Sequence, residues 1–235
     1  MNGLKKVEVM YFTDILCIWA YLAQIRIDKM KATFGTNIEV HNHFIPVFGS
    51  VELKLEKNWS AQGGVAAYNK HIRDIALTFS HIDVHPEIWM KNIPTTSASG
   101  HLFLKAVQIL ESRGELPCLT TQTNCANNTF EATVWEMRVA FFKDLIDISS
   151  FPEQMRIAER LGLPLQKIER LIKSGVAFAA LDDDLQLKEK YIVSGSPTII
   201  LNEGRQIIYG NVGYRVIEAN IQELLNQPES QASWC

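Results

Sequence analysis

The strongest constraint on the fold is a strand–helix–strand unit near the N-terminus. Residue patterns typical of strands occur again only near the C-terminus, so one sheet has to combine strands from both ends of the chain. The apolar residues 7–12 predict a short buried strand. A helical pattern begins at Cys17 and ends near Gly35, and the imperfect alternation of residues 38–45 predicts a second strand. Two strands joined by one helix over so short a span form a βαβ unit, in which the strands are parallel and the crossover is right-handed.

Helical periodicity fills the middle of the chain, and strands come back after it. Apolar residues at steps of three and four predict amphipathic helices throughout residues 51–190. One such stripe consists of Val65, Tyr68, Ile72, Ile75 and Phe79. Residues 198–201 and 206–209 then predict a β-hairpin, and a last helix follows it. The sequence therefore predicts an α/β fold with the order βαβ, helices, ββα, in which a large all-α insertion divides a central four-stranded mixed sheet.

This order predicts one discontinuous sheet domain rather than two domains in series. We expect residues 1–50 and 191–228 to form the sheet domain, residues 51–190 to form the inserted helical domain, and residues 229–235 to be a flexible tail. A chain of 235 residues is long enough to bury these cores without covalent cross-links.

Composition and charge exclude several classes of protein. The net charge of −3 argues against a protein that binds nucleic acid by neutralising phosphates. No apolar stretch approaches the roughly 18 residues of a membrane span, so we expect no membrane association. Four cysteines in a chain of this size do not form a disulfide framework, and no secretory leader stands out. We therefore expect a cytoplasmic protein, whose thiols stay reduced.

The segment Cys17-Ile18-Trp19-Ala20 directly follows the first predicted strand and opens the first helix. Unpaired backbone N–H groups and the positive end of the helix dipole favour a thiolate at such a position. We therefore expect the pKa of Cys17 to be lowered and its thiol to be alkylated faster than the other thiols. The alternative is that Cys17 is a small buried hydrophobic side chain, as most free cysteines are.

Three further residues have both a functional and a structural interpretation. Asp14 is either a proton acceptor or modulator for Cys17, or the residue that closes an Asx turn before the helix. Trp19 is either an aromatic wall for a substrate or an aromatic side chain packed at the helix start. Pro197 begins the first strand of the hairpin, a position that proline also takes for purely structural reasons.

No pattern of residues predicts a metal site. His81 and His85 are four residues apart with Asp83 between them, but Pro86 argues against a helix that would align them. The acidic run at residues 182–184 is interpreted as the solvated start of a helix, where negative charge suits the helix dipole.

Several segments, in their order along the chain, resemble the motifs of one family. Asp14 and residues 17–20 resemble the motif D-x-x-C-P-W-C, and residues 97–101 resemble a helix start that ends in A-H. Residues 149–163 resemble an acidic site followed by AAEAGL, and residues 195–198 resemble the loop G-V-P-T. Each motif is loose, and their order is what makes the match specific.

The chain therefore resembles, over about residues 5–227, the DsbA-like branch of the thioredoxin superfamily. This branch includes DsbA-type thiol–disulfide oxidoreductases, 2-hydroxychromene-2-carboxylate isomerases and kappa-class glutathione transferases. The resemblance implies a thioredoxin fold in which the peptide bond before Pro197 is cis. It also implies that the backbone of Ser196 pairs with a peptide or with glutathione as an added strand would, and that His101 opens a helix packed over the thiol.

The chain departs from the family motif at the second active-site cysteine, which is Ala20 here, and at the usual proline, which is Ile18. Without a second cysteine at that position, Cys17 cannot close the family's intramolecular disulfide, so another thiol must resolve a mixed disulfide. Glutathione is the expected partner. Cys118 or Cys125 would serve only if the insertion folds over the site.

These residues leave three hypotheses of function. The first is a cytoplasmic thiol–disulfide oxidoreductase that acts through Cys17 alone, with no tightly bound cofactor. Its co-substrate is glutathione or another small thiol, and protein disulfides are candidate substrates. The second is a glutathione-dependent transferase or isomerase on the same fold, and the third is a non-catalytic binding protein that kept the fold without the dithiol. Homodimers are common in such families, so a homodimer is a further expectation.

Overall fold

A four-stranded sheet lies at the centre of the protein, and helices surround it. The structure, a computed structural model, describes residues 6–118 and 128–226. The strands are β1 (Val7–Thr13), β2 (Ile38–Phe44), β3 (Thr198–Leu201) and β4 (Gln206–Tyr209). The helices are α1 (Ile18–Phe34), α2 (Val51–Trp59), α3 (Gly64–Ala76), α4 (Ile88–Lys91), α5 (Ala98–Ser112), α6 (Thr129–Phe142), α7 (Phe151–Arg160), α8 (Leu165–Lys173), α9 (Val176–Lys190) and α10 (Tyr214–Leu225).

The strands are ordered β2-β1-β3-β4 across the sheet. β1 runs parallel to β2, with Phe12 opposite His43, and β3 is antiparallel to both of its neighbours. The predicted four-stranded mixed sheet is therefore confirmed, and both strands of the hairpin have the predicted bounds. β1 extends one residue beyond its predicted end because Thr13 pairs with Phe44 at the end of β2.

Alternate residues of the strands build an apolar layer on each face of the sheet. On one face the packed side chains come from the strands, α1 and α10, and they include Val9, Ile27 and Ile221. On the other face they come from β1, β3 and the last part of α9, and they include Phe12 and Ile200. Both faces of the two central strands, β1 and β3, are thus covered by apolar side chains.

Every described element between β2 and β3 is helical, as the periodicity predicts. The predicted stripe of α3 faces the largest apolar cluster, in which Tyr68 and Ile72 pack with Trp89. The same cluster includes Ile18 and Cys17, so the helical segment packs directly against the start of α1. The division into two domains stays a prediction. None of the helices in residues 6–118 and 128–226 is long and apolar enough to cross a membrane.

The acidic run at residues 182–184 lies inside α9 rather than at a helix start, so the solvated-start interpretation is wrong for Asp184. The Asp184 side chain is buried, and its carboxylate accepts hydrogen bonds from Lys105 Nζ at 3.1 Å and from the Phe44 N–H at 2.8 Å. His43 Nδ1 lies 2.7 Å from the same carboxylate. One aspartate therefore joins the end of β2 to α5 and α9.

Candidate active site

Cys17 lies directly before the first residue of α1, where the sequence predicts it. Its backbone is extended, with φ −81° and ψ 115°, and its carbonyl accepts hydrogen bonds from the N–H groups of Ala20 and Tyr21. The turn before it is closed by a hydrogen bond from the Cys17 N–H to the Asp14 carbonyl at 3.1 Å. The thiol therefore lies at the N-terminal end of the helix, next to N–H groups that no helical carbonyl satisfies.

The loop before β3 faces the thiol at hydrogen-bond distance. The Ser196–Pro197 peptide bond is cis, and Cys17 Sγ donates a hydrogen bond to the Ser196 carbonyl at 3.2 Å. Ser196 Oγ accepts a hydrogen bond from the Asp14 N–H at 2.8 Å. The fold thus brings together two pairs of residues that the sequence singles out, although Cys17 and Ser196 are 179 positions apart in the chain.

Asp14 is fully buried, and both of its carboxylate oxygens accept hydrogen bonds. Oδ1 accepts from the Leu16 N–H at 2.8 Å, which closes the expected Asx turn. Oδ2 accepts from the Phe48 N–H at 2.9 Å and from Ser97 Oγ at 2.7 Å. The turn interpretation of Asp14 is therefore confirmed. This geometry offers no support for a proton acceptor, because donors already occupy both oxygens.

Ser97 and Phe48 are parts of the site that sequence reasoning missed. Ser97 lies directly before α5, and its hydroxyl binds Asp14 instead of capping that helix. Its N–H also donates to the Phe48 carbonyl at 3.0 Å. Ser97 is the first residue of the motif-like segment 97–101, but nothing in the sequence assigned its hydroxyl to the site. Phe48 contributes through its backbone, which no pattern of side chains reveals. Together they fasten the loop between β1 and α1 to the helical segment.

His101 lies in the first turn of α5 and is fully buried. Its Nε2 accepts a hydrogen bond from the Ile15 N–H at 3.1 Å and lies 3.7 Å from Asp14 Oδ1. Its ring stacks on Phe44, with 5.2 Å between the ring centroids. Burial lowers the pKa of His101, so the ring is neutral at neutral pH and suited to accept that hydrogen bond. His101 thus supports the loop that carries the thiol and does not line an open pocket.

The expected lowering of the Cys17 pKa is wrong, because burial raises the pKa of this thiol. The residue is only 6% exposed, and moving a thiolate out of water is costly. The Ser196 side chain and the N–H groups of Ala20 and Trp19 do favour the thiolate, as the helix N-terminus predicts, but they do not outweigh burial. The Asp14 carboxylate adds to the rise. The free protein therefore holds Cys17 as a thiol at neutral pH.

Residues 6–118 and 128–226 provide no second thiol beside Cys17. Ala20, at the position of the family's second cysteine, is fully buried. Cys118 is free and exposed beyond the C-terminal end of α5, whereas the start of that helix packs on the loop of the thiol. A helix of this length spans about 20 Å, too far for a disulfide without rearrangement. Cys125 and Cys235 lie outside the described residues.

Trp19 follows Cys17 by two residues and is partly exposed. It lies in the first turn of α1 and is 36% exposed, while its neighbours Ile18 and Ala20 are buried. The packed-aromatic interpretation is therefore incomplete. Its role as an aromatic wall for a substrate stays a prediction.

In the two described ranges, no group of three His, Cys, Asp or Glu side chains is arranged to hold a metal ion. Backbone groups engage the two histidines that invited such an interpretation. His81 Nε2 lies 3.1 Å from the Leu22 carbonyl, and His85 Nδ1 accepts a hydrogen bond from the Glu87 N–H.

Comparison with known proteins assigns the chain to a family. A family model described as the DsbA-like thioredoxin domain matches residues 8–222. The chain belongs to the DsbA-like thioredoxin domain family. The thioredoxin fold that the resemblance implies for this DsbA-like protein is thereby confirmed. No curated protein sequence matches the chain significantly.

Several solved structures are similar to the DsbA-like protein over nearly its whole length. The cytosolic disulfide reductase DsbM from Pseudomonas aeruginosa is 17% identical, with a TM-score of 0.64 over 92% of this chain and 99% of that chain. A structure of DsbM with GSH is 16% identical, with a TM-score of 0.65 over 94% and 100%. A 2-hydroxychromene-2-carboxylate isomerase is 15% identical, with a TM-score of 0.61 over 96% and 100%. At these identities the similarity shows a shared fold.

Proposed function

We propose that this DsbA-like protein is a thiol–disulfide oxidoreductase that acts through the single thiol of Cys17 and uses glutathione as the second thiol. The observation that carries the proposal is the position of Cys17 Sγ, at the N-terminal end of α1 and 3.2 Å from the Ser196 carbonyl. Ala20 takes the position of the second cysteine, so an external thiol completes the cycle.

The reaction proceeds by two thiol–disulfide exchanges at one sulfur. The Cys17 thiolate attacks the glutathione sulfur of a mixed disulfide, and the other sulfur leaves with the bonding electron pair and takes up the proton that Cys17 gave up. Cys17 then carries glutathione in a disulfide. The thiolate of a second glutathione attacks the bound glutathione sulfur, which forms oxidised glutathione and restores Cys17. In the net reaction, one mixed disulfide and one reduced glutathione give the substrate thiol and oxidised glutathione, and Cys17 returns to its starting state.

Ser196 offers the backbone groups that a bound glutathione needs. In the free protein its carbonyl accepts the hydrogen bond of the Cys17 thiol. A sulfur in a disulfide has no proton to donate, so this carbonyl becomes free to pair with a backbone N–H of glutathione or of a peptide, as an added strand does. Trp19, two residues after Cys17 in the chain, is partly exposed and is the aromatic side chain that we expect to contact a bound glutathione.

From this mechanism we also infer the compartment in which the protein acts and the partners that it uses. Glutathione serves as a reductant in reducing compartments such as the cytosol, so we place the protein there. DsbM, described as a cytosolic disulfide reductase and solved with GSH, supports this choice by analogy of fold. The thiols of protein and glutathione carry all the electrons, so no tightly bound cofactor is required. Protein disulfides are further candidate substrates.

A second candidate function is favoured by the protonated state of Cys17. Burial raises the pKa of the thiol, so Cys17 is a hydrogen-bond donor at neutral pH, as it is toward the Ser196 carbonyl. A donor at this position can hold the thiolate of a bound glutathione without forming a bond to it. The protein would then be a glutathione-dependent isomerase or transferase, and the shared fold with 2-hydroxychromene-2-carboxylate isomerase makes this the alternative to test.

Turnover of a small mixed disulfide tests the proposal. The protein is mixed with the disulfide of glutathione and 2-mercaptoethanol, reduced glutathione, glutathione reductase and NADPH, and the oxidation of NADPH is followed. We expect a rate that is proportional to protein concentration and saturates with the mixed disulfide. A rate equal to that of the uncatalysed exchange would contradict the proposed oxidoreductase activity.

A further inference from the structure

A groove on the surface of the helical segment has no part in the mechanism above. It lies between α2, the start of α3 and the segment 93–95 that precedes α5, and its volume is about 650 Å³. Cavities of roughly 300–1,000 Å³ are of the size that binds small organic ligands. Neither Cys17 nor Ser196 nor Pro197 lines the groove, so it is separate from the site of the thiol.

Apolar side chains form part of the lining of the groove. Leu55 and Pro94 are buried, and Val65 at the start of α3 is half-buried. Ile93 also lines the groove and is 47% exposed, although it is a large aliphatic side chain. An apolar group that covers Ile93 removes both surfaces from water, which favours binding. The groove therefore suits a ligand that has an apolar part.

Two glutamates give the groove a negative charge. Glu52 and Glu56 both line it, and they lie on one face of α2 because they are four residues apart. The helix dipole accounts for an acidic residue at Glu52, in the first turn, but Glu56 lies in the second half of the helix. Within residues 6–118 and 128–226, neither carboxylate has an ion-pair partner. The lining contains no lysine or arginine, and its other polar side chains are the hydroxyls of Ser50, Ser60 and Thr95.

We propose that this groove binds a small organic cation. The ammonium or guanidinium group of the ligand pairs with Glu52 and Glu56, and its apolar part covers Leu55 and Ile93. Two carboxylates on one wall both attract the same cation, and each pair adds a modest free energy because the wall is exposed to water. Glutathione carries a net negative charge at neutral pH, so these carboxylates repel it. The ligand is therefore not the co-substrate of Cys17, and the inference goes beyond the proposed function.

The test is a titration of the protein with 4-phenylbutylamine, followed by two-dimensional ¹H–¹⁵N NMR, which both detects weak binding and locates it. We expect saturable shifts of amide signals from residues 50–65 and 93–95, and a dissociation constant that rises as sodium chloride is added. The neutral 4-phenylbutan-1-ol should bind about tenfold more weakly, because it lacks both charge pairs. The anionic 4-phenylbutyrate should cause no shifts at these residues.

The double variant Glu52→Gln with Glu56→Gln removes the charge and keeps the shape of the groove. We expect the dissociation constant of the amine to rise about tenfold and that of the alcohol to stay the same. Glu218→Gln with Glu223→Gln is the matched control, because it changes the net charge equally on α10, away from the groove. It should leave the affinity for the amine at the wild-type value.

Three results would overturn the inference: no shifts of the groove signals with the amine, equal affinity for the amine and the carboxylate, or wild-type affinity in the Glu52 and Glu56 double variant. Thermal unfolding checks that this variant is folded; if it is not, Glu56→Gln alone is used, with an expected threefold loss of about half that free energy. The titration involves neither glutathione nor Cys17, so its failure is distinguishable from a failure of the proposed function.

Discussion

Replacing Cys17 by serine is expected to reduce the glutathione-dependent turnover of a mixed disulfide to the uncatalysed rate. Serine nearly preserves the volume of the side chain and can still donate a hydrogen bond to the Ser196 carbonyl, so the loop keeps its geometry. A hydroxyl cannot form the mixed disulfide with glutathione on which the exchange depends. The coupled oxidation of NADPH, measured for variant and wild type at equal concentration, reports the loss.

Cys118→Ser is the matched control for this variant, because Cys118 is a free, exposed thiol beyond the end of α5. It should turn over the mixed disulfide at the wild-type rate. Turnover retained by Cys17→Ser would contradict a redox role for this thiol. If Cys17→Ser loses that turnover but still conjugates glutathione to 1-chloro-2,4-dinitrobenzene as the wild type does, a transferase activity exists that needs only a donor at this position.

Replacing Asp184 by alanine is expected to lower the free energy of unfolding by about 3–5 kcal/mol. The carboxylate is 2% exposed and accepts hydrogen bonds from Lys105 and from the Phe44 N–H. Without it, the buried ammonium of Lys105 has lost its ion-pair partner, and the Phe44 N–H has lost its acceptor. Equilibrium unfolding in urea measures the loss as a lower midpoint with an unchanged slope.

Asp183→Ala is the matched control, since Asp183 is the preceding residue of α9 and is exposed. Its effect should stay within about 0.5 kcal/mol. The double variant Lys105→Met with Asp184→Leu should recover much of the stability, because it removes both buried charges and keeps apolar packing. A loss below about 1 kcal/mol in Asp184→Ala, which is the range of a surface ion pair, would contradict the buried role.

Most of the sheet was predictable because its signals are local. The hairpin is specified by two short apolar runs and by the turn Asn202-Glu203-Gly204, whose three residues all have positive φ. The burial of Asp184 was not predictable in the same way. Its partners Lys105 and Phe44 are 79 and 140 positions away in the chain, and only the packing of α9 against α5 and β2 makes the acidic side chain internal.

In the candidate site, too, the features that depend on local sequence were predictable and those that depend on distant residues were not. The place of Cys17 before α1 follows from local pattern, whereas its hydrogen bond to the Ser196 carbonyl was not predicted, because the two residues are 179 positions apart in the chain. The direction of the Cys17 pKa shift was missed because burial is a property of the whole fold, whereas the helix N-terminus is visible in the sequence. Tyr68 was assigned to a core stripe, and its ring does pack in the largest apolar cluster.

Incubation with oxidised glutathione, followed by intact mass spectrometry and peptide mapping, tests the single-thiol mechanism most directly. The mechanism predicts a glutathione adduct on the peptide that contains Cys17, which reduced glutathione removes. An internal disulfide between Cys17 and another cysteine of the chain, or a Cys17 that stays unmodified, would contradict it.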